Sequence, residues 1–157
     1  MKITSSSFSD GGAIDARFAM KAIAGGKNVS PDIKISGVPN KARSLAITFV
    51  DRHPMARSWI HWLAISVPPA TAEIPEGASL RAMPAGTVEL ANTFGDRGYG
   101  GPQPPRGSGV HRYELTVYAL SDAPAARGHE YTEREFIELV KGKILAKASI
   151  TGGFENR

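Results

Sequence analysis

The chain contains no cysteine, so disulfides and thiolate chemistry are both excluded. That absence fits a reducing compartment, and the cytoplasm is the expected location. No apolar run approaches the roughly 18 residues that a membrane span requires. The N-terminal MKITSSSFSDGG carries one lysine with no apolar stretch behind it, so a soluble protein without a secretory signal is expected. Lys and Arg outnumber Asp and Glu by only 19 to 15, a mild bias toward anionic partners. No basic stretch is interleaved with aromatics, which argues against nucleic acid as a partner. Neither HExxH nor GxSxG occurs, so the tight signatures of zinc peptidases and serine hydrolases are missing.

What the chain has in quantity is turn chemistry. Seventeen glycines and eleven prolines punctuate it from end to end, leaving short segments that predict a mainly β single domain over residues 1–157. Three segments read as central strands: Ser44 to Asp51 (SLAITFVD), Trp59 to Val67 (WIHWLAISV) and His111 to Leu120 (HRYELTVYAL). Asp32 to Ser36 and Ala146 to Ile150 are weaker candidates, giving a sheet of at least five members. Thr132 to Lys141 breaks the pattern with Phe136, Leu139 and Val140 at helical spacing. Thr132 and Glu135 form a capping-box signature there, and Gly142 follows. The stretches from Pro68 to Ala91 and from Asn92 to Gly109 read as long loops, of the kind that usually carries function.

Residues of equal parity share a strand face. Leu45, Ile47 and Phe49 form an apolar row whose next member is Asp51. His61 has the parity of Trp59, Leu63, Ile65 and Val67, and His111 with Tyr113 leads a row continued by Leu115, Val117 and Ala119. Nine residues separate Asp51 from His61, so an antiparallel hairpin brings both to one sheet edge. If the third strand runs parallel to the second, Asp51, His61, His111 and Tyr113 converge at one mouth. A carboxylate, two imidazoles and a phenol suit phosphate or sulfate oxygens, with imidazoles that gain charge as pH falls.

Other readings of the same residues compete. His53, His61 and His111 with Asp51 offer the donors of a metal-assisted hydrolase, although in no compact metal motif. Ser108, in RGSGVH, reads as turn chemistry rather than as a nucleophile. His129, in Arg-Gly-His-Glu, reads as solvated, and Trp59 and Trp62 as packing residues.

Four blocks together carry a family resemblance. GKNVSPDIKISGVPNKARSLAITFVD, WIHWL, FGDRGYGGPQPPRGSGVHRYELTVYAL and ILAKASITGGF resemble the phosphatidylethanolamine-binding proteins, also called Raf kinase inhibitor proteins, over nearly the whole chain. The third block is the most specific: a Gly-Tyr-x-Gly-Pro-x-Pro-Pro loop runs into a His-Arg-Tyr strand.

The resemblance implies a β-sandwich with a large central antiparallel sheet, a smaller sheet and a C-terminal helix. It also implies a non-catalytic anion pocket without a cofactor, for phosphate or a phospholipid headgroup. Asp51 matches the first aspartate of the family's Asp-Pro-Asp-Ala-Pro motif, His61 its His-Trp histidine, and His111 and Tyr113 its His-x-Tyr. The run from Tyr99 to Pro105, with Gly101 and Pro102, matches the pocket wall. His53 stands where the family has a second aspartate, and Arg52 where it has proline, so a pocket shifted toward anions and away from amines is expected. By analogy the chain forms a homodimer and modulates a protein partner such as a kinase. A serine-protease inhibitor is the alternative within the family.

Overall fold

The structure is a computed structural model that describes residues 1–126 and 130–157; His129 therefore lies outside the described residues. In chain order the elements are β1 (Lys2–Thr4), β2 (Ile33–Ser36), β3 (Ser44–Asp51), β4 (Trp59–Val67), β5 (Glu73–Ile74), β6 (Val88–Glu89), β7 (His111–Leu120), α1 (Glu133–Val140) and β8 (Ile144–Phe154). Two antiparallel sheets result. The larger has the order β6-β4-β3-β7-β8, and the smaller has the order β1-β2-β5.

The middle strands of the large sheet, β3, β4 and β7, are buried on both faces, which is why they read as nearly continuous apolar runs rather than clean alternations. All eight residues of β3 are buried. On one face Leu45, Ile47, Phe49, Trp62, Leu115 and Val117 pack against Ile3, Ile33, Ile35 and Ile74 of the small sheet. On the other Ala46, Val50, Ile60, Leu63, Ile65 and Tyr118 pack against Phe136 and Val140 of α1. Each such side chain contributes about 1.5–3 kcal/mol by leaving water, so the middle strands are the most strongly determined part of the chain.

The helix forms where its cap predicts. Thr132 Oγ1 accepts from the Glu135 N–H, and the Glu135 carboxylate accepts from the Thr132 N–H, satisfying donors that the first turn leaves orphaned. Asp32, directly before β2, pins the N-terminal segment. Its carboxylate accepts from the Ser6 and Ser7 N–H groups at 3.0 and 2.9 Å and from the Ser5 and Ser7 hydroxyls at 2.9 and 2.6 Å.

Three differences from the sequence reading have physical reasons. β2 belongs to the small sheet, and the fifth large-sheet strand is the two-residue β6, too short to show a pattern. β8 runs from Ile144 through Gly152 and Gly153 to Phe154, beyond Ile150. Glycine is required at 152, because a Cβ there would lie 2.6 Å from Ile14. Finally, β4 is irregular against β3 at two points, between Ala64 and Val67 and at His61, and the second is a bulge at the mouth. Phe49 pairs with Trp62 but Val50 with Ile60, leaving His61 as the extra residue. The simple row of His61 with Leu63 and Ile65 therefore does not exist; those two face α1.

Candidate functional site

Both β4 and β7 pair antiparallel with β3, so β4 and β7 run parallel to each other on its two sides. Asp51, at the end of β3, is thereby placed opposite Trp59 and Tyr113, and His111 opens β7 one pleat further out. The bulge turns His61 toward the sandwich side, where its ring meets Phe49 at 6.1 Å and Tyr113 at 5.1 Å, both edge to face. Asp51, His61, His111 and Tyr113 thus share one mouth of the large sheet.

They line a cavity of about 250 Å³ with Met55, Ala56, Trp59, Phe94, Gln103, Pro104 and Pro105. Asp51, 3% exposed, is the organiser. Its Oδ1 accepts from the His53 N–H at 2.8 Å, and its Oδ2 lies 2.6 Å from His111 Nδ1. The His111 Nε2 is 3.0 Å from Ser108 Oγ.

His61 is held differently. Its Nδ1 lies 2.7 and 3.1 Å from the carbonyls of Gly100 and Gly101. Carbonyl oxygens only accept, so Nδ1 carries the proton and Nε2 is left as an acceptor. Burial pushes the His61 imidazole down to about 4, despite the opposing carbonyl bonds and the Asp51 charge. It is neutral near pH 7 and not the cationic donor that the sequence suggested.

Two buried donors on cavity-lining residues lack partners among the described residues: Tyr113 Oη and Trp59 Nε1. Burial first, and then the neighbouring Asp51 charge, push the Tyr113 phenol far above its ordinary value. It remains a protonated donor. Asp51 acts on it through its charge and through a weak side-chain interaction with the hydroxyl that falls short of hydrogen-bond geometry. Trp59, expected as a packing residue, instead forms cavity wall, with Phe94 edge to face at 5.2 Å.

The other residues singled out in the sequence lie around the cavity rather than in it. His53 caps the 3₁₀ turn Pro54–Ala56 through Nδ1 and stacks on His111, with ring centroids 3.9 Å apart. Tyr99 is buried, donates to the Phe18 carbonyl at 2.9 Å and stacks on Phe49. Pro102 offers its carbonyl to the Met20 N–H. Gly101 is a packing glycine, since a Cβ there would fall 2.0 Å from the Phe18 oxygen. Asn28, in the GKNVSP block, accepts from the Gly101 N–H at 2.7 Å, so the N-terminal segment holds the cavity wall in place. Met55, Ala56 and Phe94 escaped the sequence reading because they sit in loops without periodicity.

The arrangement does not suit a metal. Among the described residues no group of three or more His, Cys, Asp or Glu side chains is placed to hold one. His111 spends both nitrogens on Asp51 and Ser108, and His53 and His61 each have one nitrogen committed. Nor is any described helix long and apolar enough to cross a membrane.

The two-sheet β domain thus carries a small, mostly apolar cavity with a few convergent polar groups at the strand ends of its larger sheet, the form that ligand sites commonly take. The family model for phosphatidylethanolamine-binding protein matches residues 4–155; the chain belongs to this family. A UPF0098 protein of Methanothermobacter thermautotrophicus is 32% identical over 157 residues, covering 97% of each chain. The crystal structure of Escherichia coli YbcL, described as a new member of the mammalian PEBP family, superposes with a TM-score of 0.89 at 27% identity, covering 99% of this chain and 98% of its own. A putative homolog from Chlamydia trachomatis, CT736, gives 0.82 at 30% identity, covering 99% and 97%.

Proposed function

We propose that the protein is a binding module whose cavity takes a phosphate-like anion, free or as the headgroup of a larger molecule. The observation that carries this reading is the pair of unpartnered buried donors, Tyr113 Oη and Trp59 Nε1, on residues that line a cavity of headgroup size. An unmet buried donor costs about 1–3 kcal/mol, and an anionic oxygen removes that cost. Opposite them, neutral His61 offers an acceptor, which suits a phosphate that still carries a proton. Sulfate has none to give near neutrality.

His53 in place of a carboxylate makes the mouth less negative, and through its stack on His111 it acts at one remove from the ligand. Phosphate is therefore preferred over phosphoethanolamine, whose amine lacks a second carboxylate. Calorimetric titration at pH 7 with phosphate, phosphoethanolamine and sulfate tests the reading. The expected order is phosphate tightest and sulfate weakest. No saturable binding, or sulfate binding as tightly as phosphate, overturns it. Tighter phosphoethanolamine binding that is weakened by His53→Asp would overturn the preference alone.

A further inference from the structure

Asp51, His111 and Ser108 form one hydrogen-bonded chain. The carboxylate lies 2.6 Å from Nδ1, and Nε2 lies 3.0 Å from the serine Oγ. Asp51 and His111 are 3% and 2% exposed, while Ser108 is half-buried at the surface. A base within hydrogen-bond reach of a hydroxyl, oriented by a third group, is the connectivity that activates a serine, whatever the order of residues in the chain. Bonding to the carboxylate fixes a proton on Nδ1 and turns the Nε2 lone pair toward Oγ.

The surroundings of Ser108 fit this role. Gly107 and Gly109 flank it in left-handed conformations, φ +76° and +83°, and a Cβ on either would meet nothing within 4 Å. Open space therefore flanks the serine on both sides. The N–H of Gly109, the residue after the serine, donates no hydrogen bond among the described residues. That amide is the usual donor to an oxyanion forming at such a serine. The hydroxyl proton has a second acceptor, the Pro105 carbonyl at 2.6 Å, which holds it whenever Nε2 is itself protonated. The turn role of Ser108 and its activation are thus two positions of one proton.

We propose that Ser108 is a His111-activated nucleophile, modified by electrophilic acyl and phosphonyl compounds. This covalent reactivity is separate from anion recognition, since Ser108 does not line the cavity. With an alkyl fluorophosphonate the Oγ–P bond forms and the P–F bond breaks. Fluoride leaves with the electron pair, and the hydroxyl proton passes to His111 Nε2 and then to solvent.

The test is to treat the full chain with that reagent, measure intact mass and map the adduct by peptide sequencing. A single adduct is expected on Ser108, absent in Ser108→Ala and formed about a hundredfold or more slowly in His111→Gln. If His111→Gln does not fold, Asp51→Asn and urea-unfolded wild type supply the comparison, and both should lose the fast labelling. No adduct, an adduct on another residue, or equal labelling of the unfolded chain would overturn the proposal.

Discussion

Replacing Tyr113 by Phe should move stability and binding in opposite directions. The ring is fully buried between Phe49, His61 and His111, and phenylalanine keeps that packing. What is removed is the Oη, buried without a partner. In the free protein that hydroxyl costs about 1–3 kcal/mol in lost hydration, so Tyr113→Phe should be more stable than wild type by about 1 kcal/mol. For a domain with a urea slope of roughly 1–3 kcal/mol/M, the midpoint rises by about 0.5 M. Tryptophan fluorescence reports the transition, because Trp62 is fully buried. In the complex the same hydroxyl would donate to an anion, a bond of about 1.5–3 kcal/mol. Phosphate affinity should therefore fall at least about tenfold. A variant less stable than wild type would refute the claim that Oη is unsatisfied. A stabilised variant with unchanged affinity would refute its role as donor.

Three further outcomes follow from other parts of the structure. The His61 imidazole is lowered from 6.5 to about 4, chiefly by burial, so between those values the unfolded chain holds the extra proton. Stability should fall as pH drops from 6.5 toward 4, by about 3 kcal/mol for this group; urea midpoints across that range should converge for wild type and His61→Asn. Burial alone would raise the Asp32 carboxyl, but its serine hydrogen bonds carry it far below its ordinary value. Its contribution is complete above about pH 4 and lost as pH falls toward the folded value, so Asp32→Asn should cost about 1.5–3 kcal/mol at pH 7 and progressively less in acid. Phe136→Ala, which empties the centre of the α1 interface, should cost about 3–5 kcal/mol by chemical denaturation.

The parts of the fold that the sequence discloses are those where burial dictates residue type over many positions. β3, β4 and β7 run over the expected residues because eight to ten consecutive positions must fill two cores. α1 was legible from the Thr132 and Glu135 cap. β1, β5 and β6, at two or three residues, carry no period to detect. Strand parity puts Asp51, His111 and Tyr113 on core-facing rows, and it is the parallel run of β4 and β7 on the two sides of β3 that brings them together. His61 reached the same mouth by a route that parity does not contain, because a bulge is a property of pairing between strands. The direction of its proton was equally hidden, being set by the carbonyls of Gly100 and Gly101, distant in sequence. Ser108 and His111 lie only three residues apart, yet their hydrogen bond depends on the left-handed glycines at 107 and 109 that curl the loop back.

The extra residue in β4 makes that strand more sensitive to length than to composition. The residue between Ile60 and Trp62 is His61 itself, so removing it would restore regular pairing at this point of the β3–β4 ladder and leave the mouth without its imidazole. An insertion there would instead move the side chains on one side of the bulge to the opposite face. A substitution does neither, so natural variation in β4 should be rich in exchanges and nearly free of insertions and deletions around position 61.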